Sequence, residues 1–158
     1  MRILHPTDFS ECAMQAESRA VELLEPLGGE LVLLHVLVEA PLYREAPFSM
    51  SRAHVILLGE HVQNVYSAHR SWAEHALEMR ARELRNRGIK ASWRLQTGVP
   101  YEEIVKIADE ERVDMIAVGT HGRGGLNRLL MGSVADRVIR LASCPVLTVR
   151  ETKPGEGR

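Results

Sequence analysis

Short apolar runs alternate along this chain with longer segments of helical periodicity. The apolar runs lie at 2–6, 31–38, 89–96, 113–118 and 145–149. The run at 31–38 is continuous, which is typical of a parallel strand covered on both faces. Residues 89–96 alternate between apolar and polar, which predicts an edge strand with one wetter face. Pro145 is tolerated at the start of an edge strand but not in mid-sheet, so the last strand is also expected to present an edge.

The first helix is marked at both of its ends. Ser10 is suited to be its N-cap, and Gly28 with Gly29 is suited to end it. Its apolar positions follow helical spacing: Ala13, Ala16, Ala20, Leu23, Leu24 and Leu27.

Three further helical patterns follow. The longest stops near Gly88 and carries one apolar stripe, expected to face the core: Val62, Val65, Trp72, Ala76, Met79 and Leu84. Pro100 is expected in the first turn of the third helix. The last helix is marked by apolar residues from Val134 to Leu141.

Strand–helix alternation predicts one doubly wound α/β domain over residues 1–150, with a mainly parallel five-stranded sheet and helices on both faces. Residues 39–59 form a long connection containing two prolines, which is typical of a lid, a binding loop or a mobile segment. The tail at 151–158 is expected to be disordered.

Composition restricts the function classes. The chain has 158 residues, 45% of them hydrophobic, and a net charge of -1, which gives no positive field for non-specific binding to nucleic acid. No apolar run reaches the roughly 20 residues that span a bilayer. Met1 leads directly into the first strand without a signal-peptide pattern, so we expect a cytoplasmic protein with reduced cysteines.

A glycine-rich segment carries the candidate chemistry. Gly119-Thr120-His121-Gly122 follows a strand, and Gly132-Ser133 comes nine residues after Gly122, where the last helix begins. Helix N-termini offer unpaired N–H groups to anions, so the segment predicts a phosphate site. Asp8 ends the first strand and would face this segment across a crevice if the two strands are neighbours. Its carboxylate could then accept from an exocyclic amine or a ribose hydroxyl.

These features together resemble the universal stress protein family, in its ATP-binding form. The family's signature of spaced glycines is matched without a gap by Gly119, Gly122, Gly132 and Ser133. The start of the chain, Pro6 to Ser10, agrees as well. The resemblance implies a sheet in the order 3-2-1-4-5, and it implies homodimers that pair through the last strand, 145–150. His5 departs from the family pattern, which has an apolar residue more often there.

The resemblance also implies the ligand contacts. Asp8 and the backbone at Val36 would hold adenine, with Pro6 and Thr7 lining the same pocket. Ribose and phosphates would meet the first glycine loop and the start of the last helix: Val118, Gly119, His121, Gly122, Gly132, Ser133, Val134 and Ala135. Arg123 could reach a terminal phosphate or remain a solvated loop residue, and His121 could contact the ligand or pack in its loop. Magnesium or manganese would accompany the triphosphate.

The main hypothesis is that this is an ATP-binding stress-response protein that acts as a switch or sensor. This hypothesis names no catalytic residue. One alternative is a slow metal-dependent ATPase in which Asp8 or His121 orders water. Another is a non-catalytic interaction dimer with little dependence on nucleotide. No P-loop of the GxxxxGK[ST] type occurs in the sequence, which sets that class of nucleotide-binding protein aside.

Overall fold

A computed structural model describes residues 1–38, 52–121 and 131–150, without the side chains of residues 52–62. In these residues five strands alternate with four helices. The strands are β1 (Arg2–Pro6), β2 (Glu30–Leu37), β3 (Lys90–Thr97), β4 (Met115–Gly119) and β5 (Val146–Val149). The helices are α1 (Glu11–Leu27), α2 (Arg52–Asn86), α3 (Pro100–Glu110) and α4 (Ser133–Leu141).

The strands form one sheet in the order β3-β2-β1-β4-β5, and all four pairings are parallel. The predicted topology is therefore confirmed, with β3 and β5 at the two edges. Because β1 lies between β2 and β4, the chain winds away from β1 in both directions. The carboxyl ends of β1 and β4 consequently mark the switch point of the sheet.

Two apolar layers cover the two faces of the sheet. On one face, Ile3, Leu31 and Leu33 pack against α1 and α2. On the other face, Leu4 and Val32 are among the residues that pack against α3 and α4. Neighbouring residues of β1 and β2 thus belong to opposite layers, as the alternation of side chains along a strand requires.

Local sequence signals set both ends of α1. The Ser10 Oγ accepts a hydrogen bond from the Ala13 N–H at 3.2 Å, which makes Ser10 the N-cap as predicted. Gly28 follows the last turn with a φ of 67°, and its N–H donates to the Leu24 carbonyl at 2.8 Å. Positive φ values favour glycine, so this stop signal is read correctly from sequence.

The predicted apolar face of α1 is only partly correct. Leu23 and Leu27 lie at the exposed side, with Leu27 66% exposed. Glu17 is instead buried among small and apolar residues of this face: Cys12, Ala13, Ala16, Ala20, Val21 and Leu24.

The buried face of α2 differs from the predicted one. Of the predicted stripe, Val65, Trp72 and Met79 are half exposed, whereas Leu84 is buried. The residues that face the sheet are Ala73, Leu77, Ala81 and Leu84. Two of these four are alanines, which contribute little hydrophobicity to a periodicity signal but let the helix lie close to the sheet. The prediction from sequence was therefore wrong, because it followed the larger apolar residues on a neighbouring side of α2.

The helix α2 also begins earlier than predicted. Residues 52–59, assigned from sequence to the connection, are helical, because the apolar run before Gly59 continues into the helix without a proline or a turn signal. The remainder of the connection, 39–51, and the tail, 151–158, lie outside the described residues, as do Gly122 and Arg123.

A pair of substitutions tests the buried face of α2. Leu77→Ala should lower the free energy of unfolding by about 2–5 kcal/mol, because Leu77 is fully buried and its truncation leaves a cavity. Met79→Ala, two residues along, should cost less than about 1 kcal/mol, because Met79 is 51% exposed. Urea unfolding measures the loss of free energy in the two variants. An equal loss would show that the predicted stripe, which includes Met79, is buried as well.

Candidate functional site

A crevice opens between β1 and β4 at the carboxyl end of the sheet. The two strands pair only at Ile3 with Met115 and Leu4 with Ile116. By contrast, β1 stays in register with β2 as far as Pro6, and β4 stays in register with β5 as far as Gly119. The strands β1 and β4 thus diverge beyond Leu4, while each remains paired to its outer neighbour.

The amino ends of the same two strands are tied together. The Arg2 N–H donates to Asp114 Oδ2 at 2.6 Å, and the Asp114 N–H donates to the Arg2 carbonyl at 2.8 Å. The Arg2 guanidinium also pairs with Glu111 at 2.5 Å. The separation of β1 and β4 is therefore confined to their carboxyl ends.

The side chain of His5 joins the two strands where they diverge. His5 is fully buried, and its Nδ1–H donates to the Ala117 carbonyl at 2.9 Å. This bond takes up a β4 carbonyl at the base of the crevice. The Nε2 atom has no hydrogen-bond partner within the described part of the chain. Burial is the main cause that lowers the pKa of the His5 imidazole, so the ring is held neutral.

Three side chains hold the loop that follows β1. The Thr7 Oγ1 accepts from the Phe9 N–H at 3.0 Å, and Asp8 Oδ1 accepts from the Ser10 N–H at 3.0 Å. Ser10 caps α1 in turn. Such local bonds stabilise a tight turn, so Asp8 lies in a braced loop at the crevice.

The other side of this loop is fixed to β2. The Thr7 N–H donates to the Leu34 carbonyl at 2.8 Å, and His35 Nδ1–H donates to the Thr7 carbonyl at 2.7 Å. Phe9 has a φ of 61°, an uncommon conformation for a bulky residue. Its ring packs against those of His35 and Trp72, each with a centroid distance of 5.0 Å.

Thr120 brings the two ends of the glycine segment together. Its carbonyl accepts from the Gly132 N–H at 2.7 Å, and its N–H donates to the Val149 carbonyl at 2.9 Å. Its hydroxyl bonds His121 Nδ1 at 2.8 Å. Thr120 is almost fully buried. Its carbonyl, its N–H and its hydroxyl are all hydrogen-bonded within the protein.

The two described glycines of the motif lie in tight packing that favours the absence of a side chain. A Cβ on Gly119 would lie 2.9 Å from Cys12 Sγ and 3.0 Å from the Cys12 carbonyl carbon. A Cβ on Gly132 would lie 3.1 Å from the Thr120 carbonyl oxygen. Gly132 has a φ of −61°, which any residue adopts, so it is the tight space beside the Thr120 carbonyl and not the backbone conformation that favours glycine there.

The first N–H groups of α4 have no acceptor among the described residues and lie next to this segment. Gly132 is the N-cap, the first intrahelical bond runs from the Asp136 N–H to the Gly132 carbonyl, and no described side chain caps the helix. The N–H groups of Ser133, Val134 and Ala135 therefore have no intrahelical acceptor. Together with the helix dipole they favour an anion at this position.

The described part of the predicted site gathers around the β1–β4 switch point. Thr7 and Asp8 lie on the β1 side, and Gly119, His121, Gly132 and Ser133 lie on the β4 side. Val36 lies one strand further along, on β2. Three predicted residues have buried side chains and could offer a ligand only their backbone: Pro6, Val118 and Ala135. Gly122 and Arg123 are the two predicted residues outside the described chain.

Sequence reasoning missed three residues that organise this site: His5, His35 and Thr120. His5 and His35 interrupt apolar strands, and a polar residue inside such a run could have marked a buried hydrogen bond. Thr120 lies inside the glycine motif but carries no local signal of its bonds, because its partners on β5 and α4 are distant in sequence.

Two searches of the described residues found nothing further. None of their helices has the length and apolar character to cross a membrane. Nor do these residues hold a group of three or more His, Cys, Asp or Glu side chains that could bind a metal ion.

Comparison with known proteins gives one consistent family. The model of the Universal stress protein family matches residues 1–150. Universal stress protein MJ0577 of Methanocaldococcus jannaschii is 35% identical over 153 residues, which cover 94% of both chains. A solved structure of MJ0577 has a TM-score of 0.78 to this chain at the same identity and covers 97% of each.

Two more distant solved structures were determined with nucleotides. A universal stress protein family protein of Arabidopsis thaliana has AMP bound, with 19% identity, a TM-score of 0.64 and coverage of 99% of this chain and 97% of its own. A universal stress protein in complex with cAMP has 21% identity, a TM-score of 0.62 and coverage of 96% and 98%. At these identities the likeness shows a shared fold.

His5 is expected to make stability depend on pH. Its pKa is lowered in the folded chain, whereas in the unfolded chain it should return to about 6.5. Below pH 6.5 the unfolded chain therefore binds a proton that the folded chain does not, and stability falls as the pH drops. His5→Leu should remove up to about 1.4 kcal/mol per pH unit of this slope.

Urea unfolding at a series of pH values between 8 and 5.5 measures the slope. His75→Leu, which removes an exposed histidine of α2, is the matched control and should retain the slope of the unaltered protein. An unchanged slope in His5→Leu would show that the buried imidazole does not titrate in this way.

Proposed function

The chain belongs to the universal stress protein family, and we propose that it binds ATP in the crevice between β1 and β4 and acts as a nucleotide-dependent switch in the stress response. The observation that supports this most directly is the divergence of these strands beyond Leu4 and Ile116. It leaves a braced carboxylate on one side and, on the other, a helix N-terminus that no described side chain caps.

In this proposal the loop after β1 recognises the base. The Asp8 carboxylate accepts from the exocyclic amine of adenine, a role that suits an acceptor-only group. Pro6 and Thr7 line the adenine pocket, and the backbone of Val36 completes it from β2. The bonds of Asp8 Oδ1 to Ser10 and of His35 to the Thr7 carbonyl support this role, because they fix the loop before a ligand arrives.

The β4 side would hold the ribose and phosphates. The N–H groups of Ser133, Val134 and Ala135, which have no intrahelical acceptor, suit an anion, and Ser133 is exposed at this helix end. The backbone of Val118 and Gly119, with His121, is proposed to contact the ribose side, and Gly122 and Arg123 are proposed to follow the phosphates. A magnesium or manganese ion would enter with the triphosphate, whose oxygens are the ligands that hard cations prefer.

Adenine nucleotides in two relatives support the choice of ligand. AMP and cAMP, each bound by a protein of the same fold, share the adenosine part of ATP. The triphosphate is our extension of this, argued from the signature glycines and from the α4 N-terminus.

We propose that nucleotide is held and not turned over efficiently. Among the described residues, the two predicted site groups that could act as a base each bond the protein through one atom. Asp8 Oδ1 accepts from Ser10, and His121 Nδ1 bonds Thr120. The second ring nitrogen, His121 Nε2, is buried away from solvent within the described chain, whereas a general base has to reach the water that it activates. Bound nucleotide would then act, in the cytoplasm, by changing which partner the protein recognises.

Titration calorimetry with ATP, ADP and AMP tests the proposed function. The unaltered protein should bind at least one of them, and Gly132→Val should weaken binding by at least tenfold. Its branched side chain would meet the Thr120 carbonyl and displace the start of α4. Ala68→Val adds similar bulk at an exposed position of α2 and should bind normally. The proposal is wrong if none of the nucleotides binds at millimolar concentration.

We further propose that the chain forms a homodimer through the free edge of β5. The Ile116 N–H donates to the Pro145 carbonyl at 3.0 Å, and the Thr120 N–H donates to the Val149 carbonyl at 2.9 Å. By alternation, the polar backbone groups of Val146 and Thr148 face away from β4. In the described residues β5 has no neighbour on that side, so its edge is suited to pair with a second copy about a two-fold axis.

Two substitutions at one position test this dimer. Thr148→Pro removes an N–H that faces the free edge and should give a monomer, whereas Thr148→Val keeps the N–H and should remain dimeric. Sedimentation equilibrium measures the molecular mass of both. If the Thr148→Pro protein stays dimeric, the interface does not lie at the free edge of β5.

A further inference from the structure

A cavity outside the predicted nucleotide site lies beside the loop that carries Asp8. It has a volume of about 520 Å³ and lies between α1, α2 and the sheet. Its walls include Phe9, Leu33 and Leu77, and Met14 and Met79 stand at its margin, each 51% exposed. Small-molecule sites in proteins commonly have volumes of 300–1,000 Å³, so the cavity is large enough for a ligand.

Four charged residues line this cavity: Glu17, Arg80 and Glu83 are paired with one another, and Arg82 is exposed to solvent. Arg80 donates to Glu17 Oε1 from Nε at 2.7 Å and from Nη2 at 2.5 Å. Its Nη1 donates to Glu83 Oε2, also at 2.5 Å. Glu17 is only 4% exposed. The buried charge of Glu17 is already compensated by Arg80, and a charged ligand beside them would have to break that pair or give up its hydration, so the interior of the cavity favours an uncharged molecule.

The apolar part of the lining favours a flat, aromatic molecule. Phe9 offers a ring face or edge, and aromatic pairs gain from offset or edge-to-face contact. Met14 and Met79 bring flexible, polarisable thioethers, which pack well against rings and adapt to ligand shape.

The same loop connects this cavity to the crevice. Thr7 and Phe9 line the cavity, and Asp8 lies between them in the chain. Phe9 has the uncommon φ of 61° and is held by ring contacts to His35 and Trp72. A molecule that adds contacts to Phe9 in this conformation would stabilise it against alternatives, and with it the position of Asp8.

We propose that the α1–α2 cavity is an effector site for an uncharged, flat aromatic small molecule, and that its occupation tightens nucleotide binding through the Thr7–Phe9 loop. The existence of the site is independent of the function proposed above, whereas its effect on the nucleotide rests on that function.

Methyl NMR of protein labelled with 13C-methyl methionine tests the site, with 2-naphthol as the probe. The Met14 and Met79 signals should shift saturably, while the signal of Met1, which does not line the cavity, should stay in place. Ala76→Phe fills the cavity from its α2 wall and should abolish the shifts, and Ala76→Leu should weaken the affinity to an intermediate value. Ala68→Phe, exposed elsewhere on α2, is the matched control and should bind as the unaltered protein does.

The absence of saturable shifts, or shifts that persist in Ala76→Phe, would overturn the site. The coupling is measured by titrating ATP with and without saturating 2-naphthol. We expect the dissociation constant for ATP to fall at least about fivefold in the unaltered protein and to remain unchanged in Ala76→Phe. An equal ATP affinity with the probe bound would overturn the coupling. A protein that binds the probe but no ATP would refute the proposed function and leave the site standing.

Discussion

The divergence of two neighbouring parallel strands is the constraint on which the candidate site depends. The strands β1 and β4 are held tightly at Arg2 and Asp114 and part after Leu4 and Ile116. A buried imidazole bonds a carbonyl of the opposite strand where they part, so the opening is made without leaving that carbonyl unpaired. The Asp8 loop follows one of the two strands that part here, and Gly132 at the start of α4 is bonded to Thr120 after the other.

Much of the fold was predictable because its signals are local. Ser10 and Gly28 fix the ends of α1 through bonds within a few residues of themselves, and the continuous apolar run of β2 indicates a strand covered on both faces. The strand order was implied by the family resemblance and is confirmed. The buried face of α2 was not predictable, because its alanines are close to the sheet while larger apolar residues such as Met79 remain half exposed.

The candidate site, like the fold, was predictable only where its signals are local in sequence. The spacing of the glycines indicated where chain and ligand could approach, but not why each glycine is needed. A Cβ on Gly119 would crowd Cys12 on α1, and a Cβ on Gly132 would crowd the carbonyl of Thr120. Both partners are fixed by the tertiary fold, since Cys12 lies more than a hundred positions before Gly119. The bonds that His5 and His35 make were likewise beyond local reasoning, because each reaches a backbone carbonyl of another segment.

The bonding of Thr120 affects how mutational maps of this protein should be interpreted. Its carbonyl, its N–H and its hydroxyl bond Gly132, Val149 and His121, so one residue joins α4, the edge strand β5 and the end of β4. Under the functions proposed above, damage to Thr120 would weaken nucleotide affinity and self-association at once, although its polar groups are all used within the protein. In a functional screen it would therefore score like a contact residue. A ranking of positions by lost activity would therefore place residues that only support the crevice beside residues that contact the ligand.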